Sequence, residues 1–161
     1  RLVLMGRGGG LRQVGSIDPK TGLGGPGYSS LIVDDAAAME NFFTEVLDLE
    51  RRSSREWTVF QPRFRYLTLH ARGAHTGNLG LVQYAAADRQ PATGIAPRPP
   101  NRGLAGWSFP VRSIDEVLRR ARAQGATLVS APLQYDDPRF GRARVATLLA
   151  PNGMLIELIE K

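Results

Sequence analysis

One order of elements, strand–helix–strand–strand–strand, is written twice along this chain, and such a repeat constrains the fold more than any single motif can. Ser29-Ser30-Leu31-Ile32-Val33 reads as a short strand running into Asp34-Asp35, carboxylates suited to capping a helix. Met39, Phe42, Phe43, Val46 and Leu47 then recur at helical spacing, which predicts a helix over 36–49. Trp57–Phe60, Phe64–Ala71 and Leu79–Tyr84 read as strands, separated by Pro62, Gly73 and Gly77. About 78 residues later the order returns. Leu104–Val111 reads as a strand, and Ser113 with Glu116 forms a capping box. Ile114, Val117, Leu118 and Ala121 stripe a helix over 114–124, which Gly125 ends. Leu128–Ser130, Arg144–Leu149 and Met154–Ile159 read as the closing strands, with Pro151-Asn152-Gly153 turning between the last two. The expectation is an α+β protein of eight strands in two similar four-stranded units, each with its helix on the outer face.

Composition narrows the function classes. At 161 residues, 42% hydrophobic and 22% charged, the chain suits a globular fold around one core. No apolar run approaches the roughly 20 residues that cross a bilayer, so no membrane partner is expected. The absence of cysteine excludes disulfides, zinc fingers, iron–sulfur ligation and thiol catalysis. The net charge is +6, and all the cations except Lys20 and Lys161 are arginines. They are scattered from Arg1 to Arg144 rather than gathered in a run, so no nucleic-acid partner is expected, whereas a small anionic ligand fits.

Residues 1–27 read as a hairpin and linker outside the repeat, and as the remnant of a preceding domain. Gly6-Arg7-Gly8-Gly9-Gly10 invites a phosphate-loop reading, but no Gly-Lys-Ser/Thr follows and no helix opens after it. The Pro-rich stretch 88–103 reads as a linker between modules 28–87 and 104–161. Ser29, Ser30 and Ser108 have no positioned base, so nucleophilic catalysis has no support. Asp136-Asp137-Pro138 reads as a polar turn, and Arg139, Arg142 and Arg144 as a hairpin rim or an anion contact. Trp57, Phe60, Tyr66 and Tyr84 suit either an aromatic pocket or core packing.

The local wording carries a resemblance. Phe42-Phe43-Thr44-Glu45-Val46-Leu47-Asp48-Leu49, the segment Ser113-Ile114-Asp115-Glu116-Val117-Leu118 through Gly125-Ala126, and Ala150-Pro151-Asn152-Gly153-Met154-Leu155-Ile156-Glu157-Leu158 are similar to segments of the vicinal oxygen chelate superfamily. That superfamily includes glyoxalase I, extradiol dioxygenases and bleomycin-binding proteins. Order and spacing extend the resemblance over residues 28–160, with Ala150 standing where the family carries Asp. It implies two βαβββ modules that form a curved mixed-sheet cup with the helices outside. It also implies a metal position on the first and last strand of each module, falling here at Tyr28, Gly80, Gly106 and Glu157.

Strand alternation supports this facing. Leu31, Val33, Trp107, Phe109, Val111, Ile156 and Leu158 should pack under the helices, leaving Tyr28, Ser30, Gly80, Tyr84, Gly106, Ser108 and Glu157 toward the cup. Tyr66 and His70 alternate against Leu67 and Leu69 and join them. Of the four metal positions only Glu157 is an ordinary ligand, so no metal cofactor is expected. The expected function is binding of a small organic molecule, flat or aromatic, with the glycines leaving room on the cup floor. The alternative is a divalent-metal lyase, isomerase or dioxygenase in which Glu157 and His70, with His75, hold the ion. No catalytic residue is assigned. A cytoplasmic homodimer is expected, and whether the cup closes within one chain or across two stays open.

Overall fold

The computed structural model describes residues 28–59, 62–73, 77–88, 106–137 and 141–161. The expected N-terminal hairpin, most of the 88–103 linker, and Phe60, His75 and Arg139 lie outside these residues. The first module runs β1 (Tyr28–Ile32), α1 (Ala36–Leu47), β2 (Leu49–Trp57), β3 (Phe64–Ala71) and β4 (Asn78–Tyr84). The second runs β5 (Gly106–Val111), α2 (Ile114–Ala123), β6 (Thr127–Asp137), β7 (Gly141–Leu149) and β8 (Leu155–Glu160). The repeated βαβββ order and the α+β class stand as expected. Each module forms a four-stranded mixed sheet, ordered β1-β4-β3-β2 and β5-β8-β7-β6. β1 lies parallel to β4 and β5 parallel to β8, and the other pairs are antiparallel. The two sheets remain open rather than closing into one barrel.

Local chemistry sets the helix ends. The Asp35 carboxylate accepts from the N–H groups of Ala37 and Ala38, and Ser113 Oγ accepts from Glu116 N–H. α1 stops two residues earlier than its apolar spacing predicts. Asp48 turns left-handed at φ 54° and sends the buried Leu49 into β2. Gly125 does the corresponding work after α2 at φ 79°.

Phe42, Phe43, Leu67, Leu69, Leu81, Ile114, Leu148, Ile156 and Leu158 are fully buried in one core that spans both modules. Val33 is buried there, and Leu31, Trp107, Phe109 and Val111 pack against it, as the alternation implies. α1 touches α2, and Phe43 brings its ring to 6.2 Å from Trp107 and 6.3 Å from Phe109 across the module boundary. Arg120 on α2 adds an ion pair with Asp48 at 2.8 Å. No helix among the described residues is long and apolar enough to cross a membrane.

Two strands differ from the sequence expectation. The strand expected at Trp57–Phe60 instead ends at Trp57 and begins at Leu49. β2 is a sheet edge whose residues are largely exposed, so its sequence LERRSSREW lacks an apolar alternation. β6 extends well beyond the expected Leu128–Ser130 through Pro132, which an edge strand tolerates, with register shifts between Leu128 and Leu133. Asp136 and Asp137 therefore pair with Arg142 and Gly141 inside a ladder rather than forming a turn. Asp88, read as the first linker residue, ends a 3-10 turn, and its carboxylate accepts from the backbone N–H of Arg63 at 2.9 Å.

Truncating Phe43→Ala removes a ring with no solvent exposure that joins the modules, and should cost about 3–5 kcal/mol. Urea unfolding followed by far-UV circular dichroism measures it. The hydrogen bond from Arg63 N–H, reinforced by the Arg63 guanidinium, holds the Asp88 carboxyl below its usual range against the opposing effect of burial. Because the folded pKa is depressed, the stability this tie contributes is full above the ordinary Asp value of about 3.9 and is lost as pH falls on through the lower folded value. Carboxyl-carbon NMR should place the Asp88 midpoint beneath that of a free aspartate.

Candidate functional site

The helices cover one face of each sheet, and the expected site residues lie on the other. In β3 and β4 the core takes Leu67, Leu69, Leu79 and Leu81, which turns Tyr66, Thr68, His70, Gly80 and Tyr84 away from α1. In β7 and β8 it takes Ala146, Leu148, Ile156 and Leu158, which turns Thr147 and Glu157 away from α2.

Register aligns these residues into rows. Across the first sheet, Ser30 sits opposite Gly80, Gly80 opposite Thr68, and Thr68 opposite Ser53. Across the second, Ser108 sits opposite Glu157, Glu157 opposite Thr147, and Thr147 opposite Ser130. The two rows match residue for residue except at Gly80 and Glu157. Ser53, Thr68, Thr147 and Ser130 escaped the sequence reading because short hydroxyl residues carry no motif. Only strand register shows that they continue the two site rows.

The exceptional position is solved differently in each module. The Glu157 carboxylate accepts a hydrogen bond from Ser108 Oγ at 2.5 Å. In the first module Ser30 Oγ and the Tyr66 hydroxyl lie 3.2 Å apart above Gly80. A Cβ at Gly80 would stand 2.5 Å from the Tyr66 hydroxyl and 2.6 Å from Ser30 Oγ. The tyrosine head thus fills the place that a side chain at 80 would take. A Cβ at Gly106 would lie 2.3 Å from the Leu155 carbonyl oxygen, so close strand approach enforces glycine there. Neither glycine leaves the floor space that the sequence suggested: one space holds Tyr66 and Ser30, the other the Leu155 backbone.

Tyr28 opens β1 opposite Asn78. His70 sits opposite Glu50, and its shielded Nδ1 has no hydrogen-bond partner among the described residues, while Glu50 accepts from Arg72 Nε at 2.7 Å. His70 and Glu157 belong to different sheets. Among the described residues no group of three His, Asp or Glu side chains has metal-ligand spacing.

Aromatic residues form a further row at one end of the first sheet, where Trp57 pairs with Phe64 and Phe64 with Tyr84. Trp57 stacks on Phe64 at 6.0 Å and 21°, and Phe64 meets Tyr84 at 5.8 Å and 62°. Trp57 keeps 42% of its surface exposed, and Ile32 on the same face keeps 67%. This row is therefore uncovered apolar surface and not helix-side core. Leu133 and Tyr135 expose about half their surface on the corresponding face of the second sheet. Arg144, read as part of a hairpin rim or an anion contact, turns instead to the helix side. It bridges Asp115 and Glu160, and Glu160 also accepts from Ile114 N–H at 2.6 Å. The paired carboxylates Asp115 and Glu160 consume that arginine, and the α2 N-terminus shares Glu160 with it.

The family model described as Glyoxalase/Bleomycin resistance protein/Dioxygenase superfamily matches residues 25–158. No curated protein matches the chain. Among solved structures, a glyoxalase family protein from Bacillus cereus is similar at 19% identity and TM-score 0.71, with 98% of each chain covered. A glyoxalase family protein from Enterococcus faecalis is similar at 24% identity and TM-score 0.58, covering 83% of this chain and 95% of that one. Glyoxalase I from Zea mays aligns at 14% identity and TM-score 0.61 over 84% of this chain, which spans 44% of the maize protein. At these identities the structures establish the fold alone. With the doubled βαβββ order and a family match over most of its length, the chain belongs to the glyoxalase/bleomycin resistance protein/dioxygenase superfamily.

Proposed function

We propose that this protein binds a small, flat organic molecule on the helix-free faces of its sheets, without a resident divalent metal. The observation that carries the reading is the pairing of an uncovered ring row, Trp57–Phe64–Tyr84, with hydroxyl rows centred on Ser30–Tyr66 and Ser108–Glu157. Apolar surface with a few convergent polar groups is the usual make-up of a small-molecule site. The rings supply contact area, and the hydroxyls and Glu157 supply orientation.

The donor set does not fit a divalent ion at the positions that the family uses. Gly106 cannot carry a side chain beside Leu155, and the space over Gly80 belongs to Tyr66. Glu157 is already bonded to Ser108. A catalytic ion normally needs three protein ligands, and one engaged carboxylate falls short. Metal-dependent lyase, isomerase or dioxygenase chemistry therefore has the weaker support. The expected homodimer belongs to the same proposal, and sedimentation velocity at micromolar protein checks it.

Saturation-transfer NMR against a panel of planar bicyclic compounds tests the binding reading. Hits should persist unchanged in EDTA, and Tyr84→Ala should weaken them by about 1–3 kcal/mol. Binding that requires added Zn²⁺, Mn²⁺ or Ni²⁺, or elemental analysis showing about one tightly held ion per chain, would sink it. The two glycines should also respond differently. Gly80→Ala displaces only the ends of two side chains and should leave the unfolding midpoint nearly unchanged. Gly106→Ala meets backbone and should cost about 1–3 kcal/mol in urea unfolding.

A further inference from the structure

We propose that Arg55 and the ring row Trp57–Phe64–Tyr84 form the selecting part of the site, and that they take a planar aromatic carboxylate. The inference rests on the small-molecule reading above and adds the ligand's charge and its place on the first sheet.

Arg55 precedes Trp57 by two residues on β2, so both lie on the same face, and register sets Arg55 opposite Tyr66. Three other arginines of this module hold carboxylates, whereas Arg52 bonds to the Asn78 side-chain oxygen and Arg65 makes no ion pair among the described residues. Arg51 pairs with Glu40, Arg63 with Asp88, and Arg72 with Glu50. Arg55 is exposed and, among the described residues, makes no ion pair or hydrogen bond. An unpaired surface arginine alone is ordinary, but here it stands beside a row of rings in contact, two residues from Trp57 on the same face.

Acidic groups are absent from the two rows concerned. Trp57, Phe64 and Tyr84 make up one, and Arg55, Tyr66, Val82 and Ile32 the other. Glu56 belongs to the opposite face, paired in register with Arg65, and Glu50 lies toward the far end and is held by Arg72. Among the described residues no carboxylate bonds to Arg55, so its guanidinium stands free beside the uncovered rings, while Arg52 is held by Asn78 toward the other end of the strand. A planar guanidinium matches a carboxylate through two parallel N–H···O bonds, and the rings match a flat hydrocarbon body. A ligand carrying both would cover Trp57 and neutralise Arg55 together.

The test uses the whole chain labelled with 5-fluorotryptophan, whose two tryptophans, Trp57 and Trp107, report the ring row and the core separately. The probes are naphthalene-2-carboxylate and its neutral carboxamide, titrated while fluorine NMR is recorded. The carboxylate should shift the Trp57 resonance, leave Trp107 in place, and bind at least about tenfold tighter than the carboxamide. Arg55→Gln should erase that preference while leaving carboxamide binding unchanged. Trp57→Phe assigns the resonances, and an unmoved Trp107 signal shows that each variant is folded. If both probes shift Trp57 equally and Arg55→Gln changes nothing, the charge assignment falls and the ring site survives. If neither probe moves Trp57, the small-molecule reading of this face falls with it.

Discussion

The contact of Phe43 with Trp107 and Phe109 is the one on which the rest of the molecule depends. Among the described residues no hydrogen-bonded ladder joins the two four-stranded sheets, and α1 and α2 with the rings between them hold the modules together. Phe43 is fully buried, and its ring reaches from the helix of one module to the first strand of the other. Arg120 bonding Asp48 lies at the boundary, yet an exposed ion pair contributes little beside buried aromatic area. This arrangement has a functional consequence. Because the apolar stripe of each helix is spent on its sheet and on the other module, the opposite sheet faces stay uncovered.

Those faces retain the symmetry of the repeat and break it at one position. Ser, Thr and Ser recur at equivalent register in both modules, whereas the last-strand residue is Gly80 in one and Glu157 in the other. A glycine there would normally leave a void, but Tyr66 reaches across to Ser30 and closes it. One module thus offers two hydroxyls beside a ring row, and the other a carboxylate clamped by a serine. Equivalent backbones present different chemistry because a single missing side chain lets a neighbour two strands from β1 take over its space.

Strands that bury one face and strands that are largely exposed were unequally legible for a physical reason. β3, β4, β7 and β8 bury one face, so their apolar residues alternate and their sequence ranges were close to those observed. β1 and β5 are edges that still pack apolar residues on the core, whereas β2 and β6 are edges that are largely exposed. Their exposed Arg, Ser, Glu and Asp residues satisfy solvent on both sides, and nothing in such composition separates strand from loop. Trp57 was visible as an aromatic residue, but its stacking on Phe64 depends on the register of β2, which the edge composition conceals.

By itself the sequence determined the doubled βαβββ order, both helices with their caps, the apolar sets beneath them, and the facing of Ser30, Tyr66, Tyr84, Ser108 and Glu157. All of these follow from short-range periodicity and capping, which act within a few residues. Only the tertiary structure decided which groups meet. It set Tyr66 over Gly80, Leu155 against Gly106, Arg144 on the helix side with Asp115 and Glu160, and Arg55 beside the ring row with no partner among the described residues. Those outcomes depend on strand register and on close contacts between residues distant in the chain, and local periodicity holds no information about either.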